Sequence, residues 1–211
     1  MNGAERVILR PIGNPLPLGF LALAGATLLV SGLQLGWVDT SQGKDVALVL
    51  IAFVFPLQLV TSVFGFLGRD VAAGTGMGIL SGTWLSVGLI VLTSAPGSTS
   101  DALGLFLLVA ALAMLVPASA AVGGKLVVTA VLGTTAVRFA CTGIYELSAS
   151  KTWEDVAGVV GLVLLAVAVY AAFAVALDEA RPRPVLPTGQ RDGGPDVAYA
   201  GRWPSTKEGS S

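Results

Sequence analysis

Arg138 stands inside a long apolar run and is the only charged side chain so placed in the chain. A guanidinium stays charged at any physiological pH and carries planar N–H donors, the geometry that grips a carboxylate. Gln58, Thr75, Thr83, Trp84 and Tyr170 fall inside similar runs, and Asn14 stands just before the first of them. Their amide, hydroxyl and indole groups donate or accept hydrogen bonds without holding a charge. With Arg138 they make a set suited to lining the route of a small carboxylate. Each also has a plainer reading. Arg138 lies roughly 10 Å from the outer end of its run, close enough to snorkel toward water and Glu146. Gln58 can make an ordinary interhelix hydrogen bond, Asn14 with its prolines can start a helix, and Trp84 and Tyr170 can simply pack.

Other chemistry is missing. The chain has no histidine and a single cysteine, Cys141. The commonest metal ligand and the usual proton shuttle near neutral pH are therefore absent, and no internal disulfide can form. No nucleophile–base pair and no cluster of metal-ligand residues can be picked out, so neither an enzyme nor a bound metal or cofactor is expected. Nothing points to a nucleic acid partner. Cys141 reads as a small apolar filler. No Asp or Glu lies in the interior of any long apolar run, so a proton-coupled carrier built on a buried carboxylate has no obvious proton holder. Channel-like passage, or coupling through the weak acid's own proton, fits better.

The elements that hold these groups follow from composition. Hydrophobic residues make up 54% and charged residues 12%, against roughly 25% charged in a soluble domain. Mean hydropathy is +0.81. A bilayer crossing takes roughly 20 mostly apolar residues. Six segments qualify: Leu18–Trp37, Val46–Phe66, Ala72–Thr93, Ala102–Val122, Lys125–Tyr145 and Val156–Leu177. The expected fold is an all-α integral membrane protein with a six-helix domain over residues 14–179. Residues 1–13 form a short N-terminal segment. The first run is about twice as long as a signal-peptide core and follows Pro11, Pro15 and Pro17, so it is expected to remain in the mature protein. Beyond Glu179 the chain turns to Pro, Gly, Arg, Asp and Ser, the composition of a disordered tail over 180–211.

Short links force neighbouring spans to run antiparallel, and an even number puts both termini on one side. If that side is inner, it holds Arg6, Arg10, Arg69, Lys125, Arg181, Arg183, Arg191, Arg202 and Lys207, leaving Lys44 and Lys151 outside. The positive-inside rule then makes both termini cytoplasmic, in a plasma (inner) membrane. Trp37 and Trp153 flank outer ends as interfacial anchors.

Packing signals also lie within the runs. Gly74, Gly78 and Gly82 make a small-residue stripe in the third span, and Gly32 and Gly36 repeat the spacing in the first; both predict close helix contact, either within the protomer or between protomers. Pro56 and Pro117 each remove a backbone donor and predict local breaks in spans two and four.

The segment Asn14-Pro15-Leu16-Pro17-Leu18-Gly19-Phe20 resembles the Asn-Pro-x-Pro-Leu-Gly signature of the acetate uptake transporter family, which includes the bacterial succinate–acetate permeases. Tyr170, Leu177-Asp178-Glu179 and Val185-Leu186-Pro187-x-Gly189 resemble the closing pattern of that family, and Gln58 and Trp84 fall where its members tend to carry the same residues. The likeness spans Asn14 to Gly189. It implies a six-helix protomer with its own substrate path, assembled as a hexamer, that takes up acetate and succinate or other short carboxylates. It also implies an apolar constriction from spans one, three and five, which by position falls on Leu23, Leu80 and Thr135, with Leu132 as an alternative to Thr135. Aromatic side chains are typical there, and this chain has none. The acidic residue frequent late in span two is Gly65 here.

Two rivals remain at this level. A channel for small neutral amides such as urea would use similar polar groups but respond little to pH. A non-transporting membrane scaffold would depend on its tail instead.

Overall fold

The computed structural model describes residues 13–180 and 186–189. The N-terminal segment, apart from Gly13, and most of the expected tail lie outside the described residues. Among those described, six helices are long and apolar enough to cross a membrane: α1 Leu16–Gln34, α2 Thr40–Leu67, α3 Val71–Thr93, α4 Asp101–Ala121, α5 Leu126–Ser148 and α6 Lys151–Ala180. The chain is thus an all-helical, multi-pass membrane protein. α6 has 30 residues, a length of about 45 Å against a hydrocarbon layer of about 30 Å, so its ends stand in the headgroup regions or beyond.

Local chemistry sets the helix starts. Pro15 and Pro17 stand at the beginning of α1, where a missing N–H costs nothing, and the Asn14 side-chain oxygen accepts from the Leu16 amide at 3.0 Å. Asp70 caps α3 through the Ala73 amide at 2.9 Å, and Ser100 caps α4 through Leu103 at 3.3 Å. The expected break at Pro56 appears as a π-helical stretch, Leu50–Val54, immediately before it. Pro56 has no N–H for the Ala52 carbonyl, and the helix widens so that the Phe55 amide reaches Leu50 instead. Pro117, in contrast, sits inside an unbroken α4.

The six helices close into a ring in chain order, each packed on the next and α6 on α1. The Asn14 amide donates to the Glu179 carboxylate at 3.2 Å, so the two ends of the bundle meet on one side. The α2–α3 seam is tight. A Cβ on Gly65 would lie 2.7 Å from the Gly74 nitrogen, one on Gly74 would meet the Phe66 ring, and one on Gly78 would come 3.0 Å from the Ser62 hydroxyl oxygen. The Ser62 hydroxyl donates across the seam to the Gly74 carbonyl at 2.6 Å.

Within the protomer, two of the expected glycine contacts are not made. Gly82 is exposed with nothing within 4 Å, whereas a Cβ on Gly88 would meet Ile51. Each four-residue step turns an α-helix about 40° too far, so the third glycine has rotated off the seam while Ser81 and Gly88 return to it. Gly32 and Gly36 make no helix seam either: Gly32 lies against Val38, and Gly36, at φ +73°, belongs to the turn that ends α1.

Candidate functional site

α5 carries the most informative stripe. Leu132, Thr135 and Arg138 follow one another at three-residue spacing and are all buried, at 1%, 0% and 1% exposure. Leu132 reaches toward α3, where a Cβ on Gly76 would come 2.9 Å from its Cδ2. The Thr135 hydroxyl donates to the Val131 carbonyl at 2.8 Å. With its hydroxyl satisfied locally, Thr135 presents its methyl group much as a valine would.

The snorkelling reading of Arg138 does not survive. The guanidinium turns inward, and one terminal nitrogen donates to the backbone carbonyl of Ala157 on α6. Gly161, one turn on, makes this possible: a Cβ there would lie 2.9 Å from Arg138 Nε and would clash with Ser31 of α1. The other terminal nitrogen is buried without a partner. Among the described residues no carboxylate lies within ion-pairing distance of Arg138, since the ion pairs are Lys125–Asp178, Lys151–Glu154 and Lys151–Asp155. Glu146 is engaged elsewhere, accepting from the Ser100 amide at 2.8 Å. Holding an unpaired charge in such a place costs several kcal/mol even after the protein relaxes.

Arg138 forms part of the wall of a cavity of about 130 Å³ that opens at the α1–α2 and α3–α4 turns, near Thr40 and Ser98. Trp84, Val87, Leu103, Leu107 and Phe139 supply much of its wall, while Gln34, Lys44, Glu146 and Glu154 are among its polar groups. Trp84 is 3% exposed. It stacks edge-on against Phe139, with ring centroids 6.0 Å apart, and its indole N–H has no partner. Two of the residues that line the cavity thus carry a buried, unsatisfied donor, one charged and one neutral. The Gln34 side-chain oxygen is likewise buried and unpartnered.

Leu23 on α1 and Leu80 on α3 are fully buried and belong to the bundle core, as does Leu132. With Thr135 they lie six to nine residues beyond their helix starts, which at 1.5 Å per residue places them at similar depth, about 9–14 Å from the Asn14 end. Gln58 on α2 is fully buried, and its amide nitrogen approaches the Gly19 carbonyl at 3.4 Å while its oxygen has no partner.

The remaining expected residues are dispersed. Thr83 is buried but bonds its own helix through the Ile79 carbonyl at 2.8 Å, and Thr75 is half-buried. Asn14 serves as the start of α1. Tyr170 is 39% exposed and donates to the Pro187 carbonyl at 2.9 Å. That bond belongs to a contact that the closing pattern marked without specifying. Thr188 and Gly189 carbonyls accept from the Val127 and Leu126 amides at 3.3 and 3.4 Å, satisfying donors at the start of α5 that no side chain caps. Ser31 and Gly161, which frame Arg138, were also invisible in the sequence, because their roles depend on three helices meeting.

Comparison with known proteins places this geometry. A family model described as the GPR1/FUN34/yaaH family matches residues 1–188. No curated protein matches the chain. Among solved structures, one reported as "Structure of the bacterial acetate channel SatP" superposes with a TM-score of 0.75 at 24% identity, over 84% of this chain and 99% of that one. The likeness at that identity is one of fold.

Proposed function

The chain belongs to the GPR1/FUN34/yaaH family, and from that premise we propose that it passes acetate and other small carboxylates across a plasma (inner) membrane by a path through each protomer. The similar fold of an acetate channel supports the reading. The observation that carries it is the cavity of about 130 Å³, which runs into the bundle from the Lys44 end and has Arg138, a buried cation with no acidic partner among the described residues, among its lining residues. A neutral amide such as urea gains little from a fixed positive charge; a carboxylate gains a charge-assisted hydrogen bond.

In this mechanism Arg138 and Trp84 receive the carboxylate from the outer side. Leu23, Leu80 and Thr135 form the narrow apolar layer below, which a solute crosses after shedding water. Gln58 serves the inner half, where its unpaired amide oxygen can accept from the protonated acid but not from the anion; Thr75 and Thr83 border the route, and Asn14 and Tyr170 stand toward its inner mouth. Both termini face the cytoplasm, as the excess of Lys and Arg on their side requires. The apolar layer obstructs a bare anion more than its protonated acid, so a proton accompanies the cargo when it crosses in acid form. The protomers assemble as a hexamer.

The test is flux of radiolabelled acetate into proteoliposomes, with succinate and urea as competitors. Saturable acetate entry that short carboxylates inhibit and urea leaves alone is expected. Entry no faster than into protein-free vesicles, or inhibition by urea alone, overturns the reading.

A further inference from the structure

We propose that the turn between α3 and α4, residues 94–100, is a lid over the mouth of the cavity, latched by Glu146; this rests on the reading of the cavity as the way in. Six of its seven residues, all but Thr99, line the cavity. Ala95, Pro96, Gly97 and Ser98 are at the same time exposed to water. The turn is therefore a single layer of chain between the cavity and the outside. Its tip meets the opposite turn, where a Cβ on Gly97 would lie 3.7 Å from Thr40 Cγ2 and 3.9 Å from Thr40 Cβ.

The tip is built to move as a unit. The Ser98 amide and hydroxyl both donate to the Ala95 carbonyl, at 3.1 and 2.8 Å, closing a tight turn with Pro96 and Gly97 at its centre. Proline fixes the first central position, and Gly97, at φ +71°, takes a conformation that favours glycine at the second. These bonds are internal, so displacing the tip breaks none of them. Among the described residues, one hydrogen bond joins residues 94–100 to a helix other than α3 and α4: the Ser100 amide donates to the Glu146 carboxylate of α5 at 2.8 Å. Glu146 is half-buried, so water competes for that bond only in part. Ser100 also caps α4 through Leu103, so the latch grips the point where the lid joins its helix.

The α1–α2 turn on the other side of the mouth is held more firmly. The Trp37 and Val38 amides both donate to the Gly32 carbonyl, at 2.8 and 3.0 Å. Lys151 of α6 donates to the Gln34 carbonyl at 3.1 Å, which ties the end of α1 to a third helix. A segment with few contacts to the rest of a fold opens at far lower cost than the fold itself, and such segments commonly gate access to a site. Of the two turns, the one after α3 is therefore the one that swings. Releasing Glu146 lets Gly97 part from Thr40 and widens the mouth.

The deciding experiment joins the two turns. Cys141→Ala removes the one native cysteine, and Thr40→Cys with Gly97→Cys then sets two thiols on Cβ atoms spaced as a disulfide requires. In proteoliposomes, oxidation of this double variant should cut acetate flux about tenfold or more, because a locked lid shuts the mouth, and reductant should restore it. Neither single cysteine should respond to oxidant. A longer, flexible bis-thiol tether across the same pair should leave flux near parental, since it lets the turns part, whereas a static mouth would be obstructed by either bridge. Hydrogen exchange reads the latch independently of transport. Glu146→Ala should quicken exchange at the Ser100 amide about tenfold, as loss of a hydrogen bond to a charged group implies, and Glu146→Gln, which keeps an acceptor oxygen, should recover part of that. Flux undiminished by the disulfide, or diminished equally by the long tether, overturns the lid while parental acetate entry leaves the transport reading standing. Unchanged exchange at Ser100 in folded Glu146→Ala overturns the latch. Should strain at Gly97→Cys keep the disulfide from forming, the exchange result decides alone. A parent that admits no acetate overturns the transport reading, and the exchange test of the lid still stands.

Discussion

Lys125 donates to the carboxylate of Asp178 at 2.6 Å, tying the start of α5 to the end of α6. Both side chains are mostly buried, at 16% and 19% exposure, so water screens the pair only in part. Asp178→Asn leaves a lysine with little compensation. It should lower stability by about 1–2 kcal/mol, between the values for exposed and buried pairs. Thermal unfolding in detergent measures this. Adding Lys125→Met should return part of the loss, and an unmoved midpoint in Asp178→Asn would show the pair to be idle.

Beside that pair, Gly189 holds a position only glycine suits. Its φ is +65°, and a Cβ would lie 2.8 Å from the Cβ of Leu126. Gly189→Val should therefore lift Thr188 and Gly189 off the Val127 and Leu126 amides. Losing a helix cap costs about 1 kcal/mol, so hydrogen exchange at the start of α5 should quicken about fivefold. Exchange unchanged there, in a variant of normal helix content, would mean that the segment is not what protects those amides.

The glycines of α3 separate two roles. Gly78→Leu must push into Ser62 across the α2–α3 seam and should cost about 1–3 kcal/mol as overpacking. Gly82→Leu meets nothing within the protomer and should leave its unfolding midpoint alone. Equal destabilisation of the two would remove the distinction. A changed assembly size for Gly82→Leu alone would place that face between protomers.

Span number and approximate limits were legible because hydropathy over roughly 20 residues depends only on local composition. What the sequence could not show depends on contacts between distant segments. Whether Arg138 turns outward to snorkel or inward was open until Ala157 and Gly161 of α6 were seen around it. Gly82 fits the same spacing as Gly78, and only the accumulated rotation of a straight helix takes it off the seam. Tyr170 belonged to a recognisable closing pattern, but its hydroxyl bond to Pro187 emerges only when the chain beyond α6 folds back. Pro56 announced a disturbance without saying which; the π-helical stretch is how α2 resolves it.

The apolar layer yields the last prediction. Leu23 and Leu80 are fully buried, and Thr135 has its hydroxyl tied to its own helix. On the proposed path a solute crossing there would give up hydration and meet no polar partner, so the width of the layer would decide which acids cross. Leu80→Ala removes the bulk of one wall. It should raise flux of lactate or succinate more than that of acetate, because the smaller acid already fits. Leu80→Asp should suppress all of them by placing an anion in the way. Both variants must first show parental abundance and a single assembly size in detergent, since losing a buried leucine costs about 2–5 kcal/mol. Flux of each acid is then compared at equal protein in proteoliposomes. If folded alanine and aspartate variants pass every acid as the parent does, Leu80 stands outside the path, and the constriction must be sought at another depth.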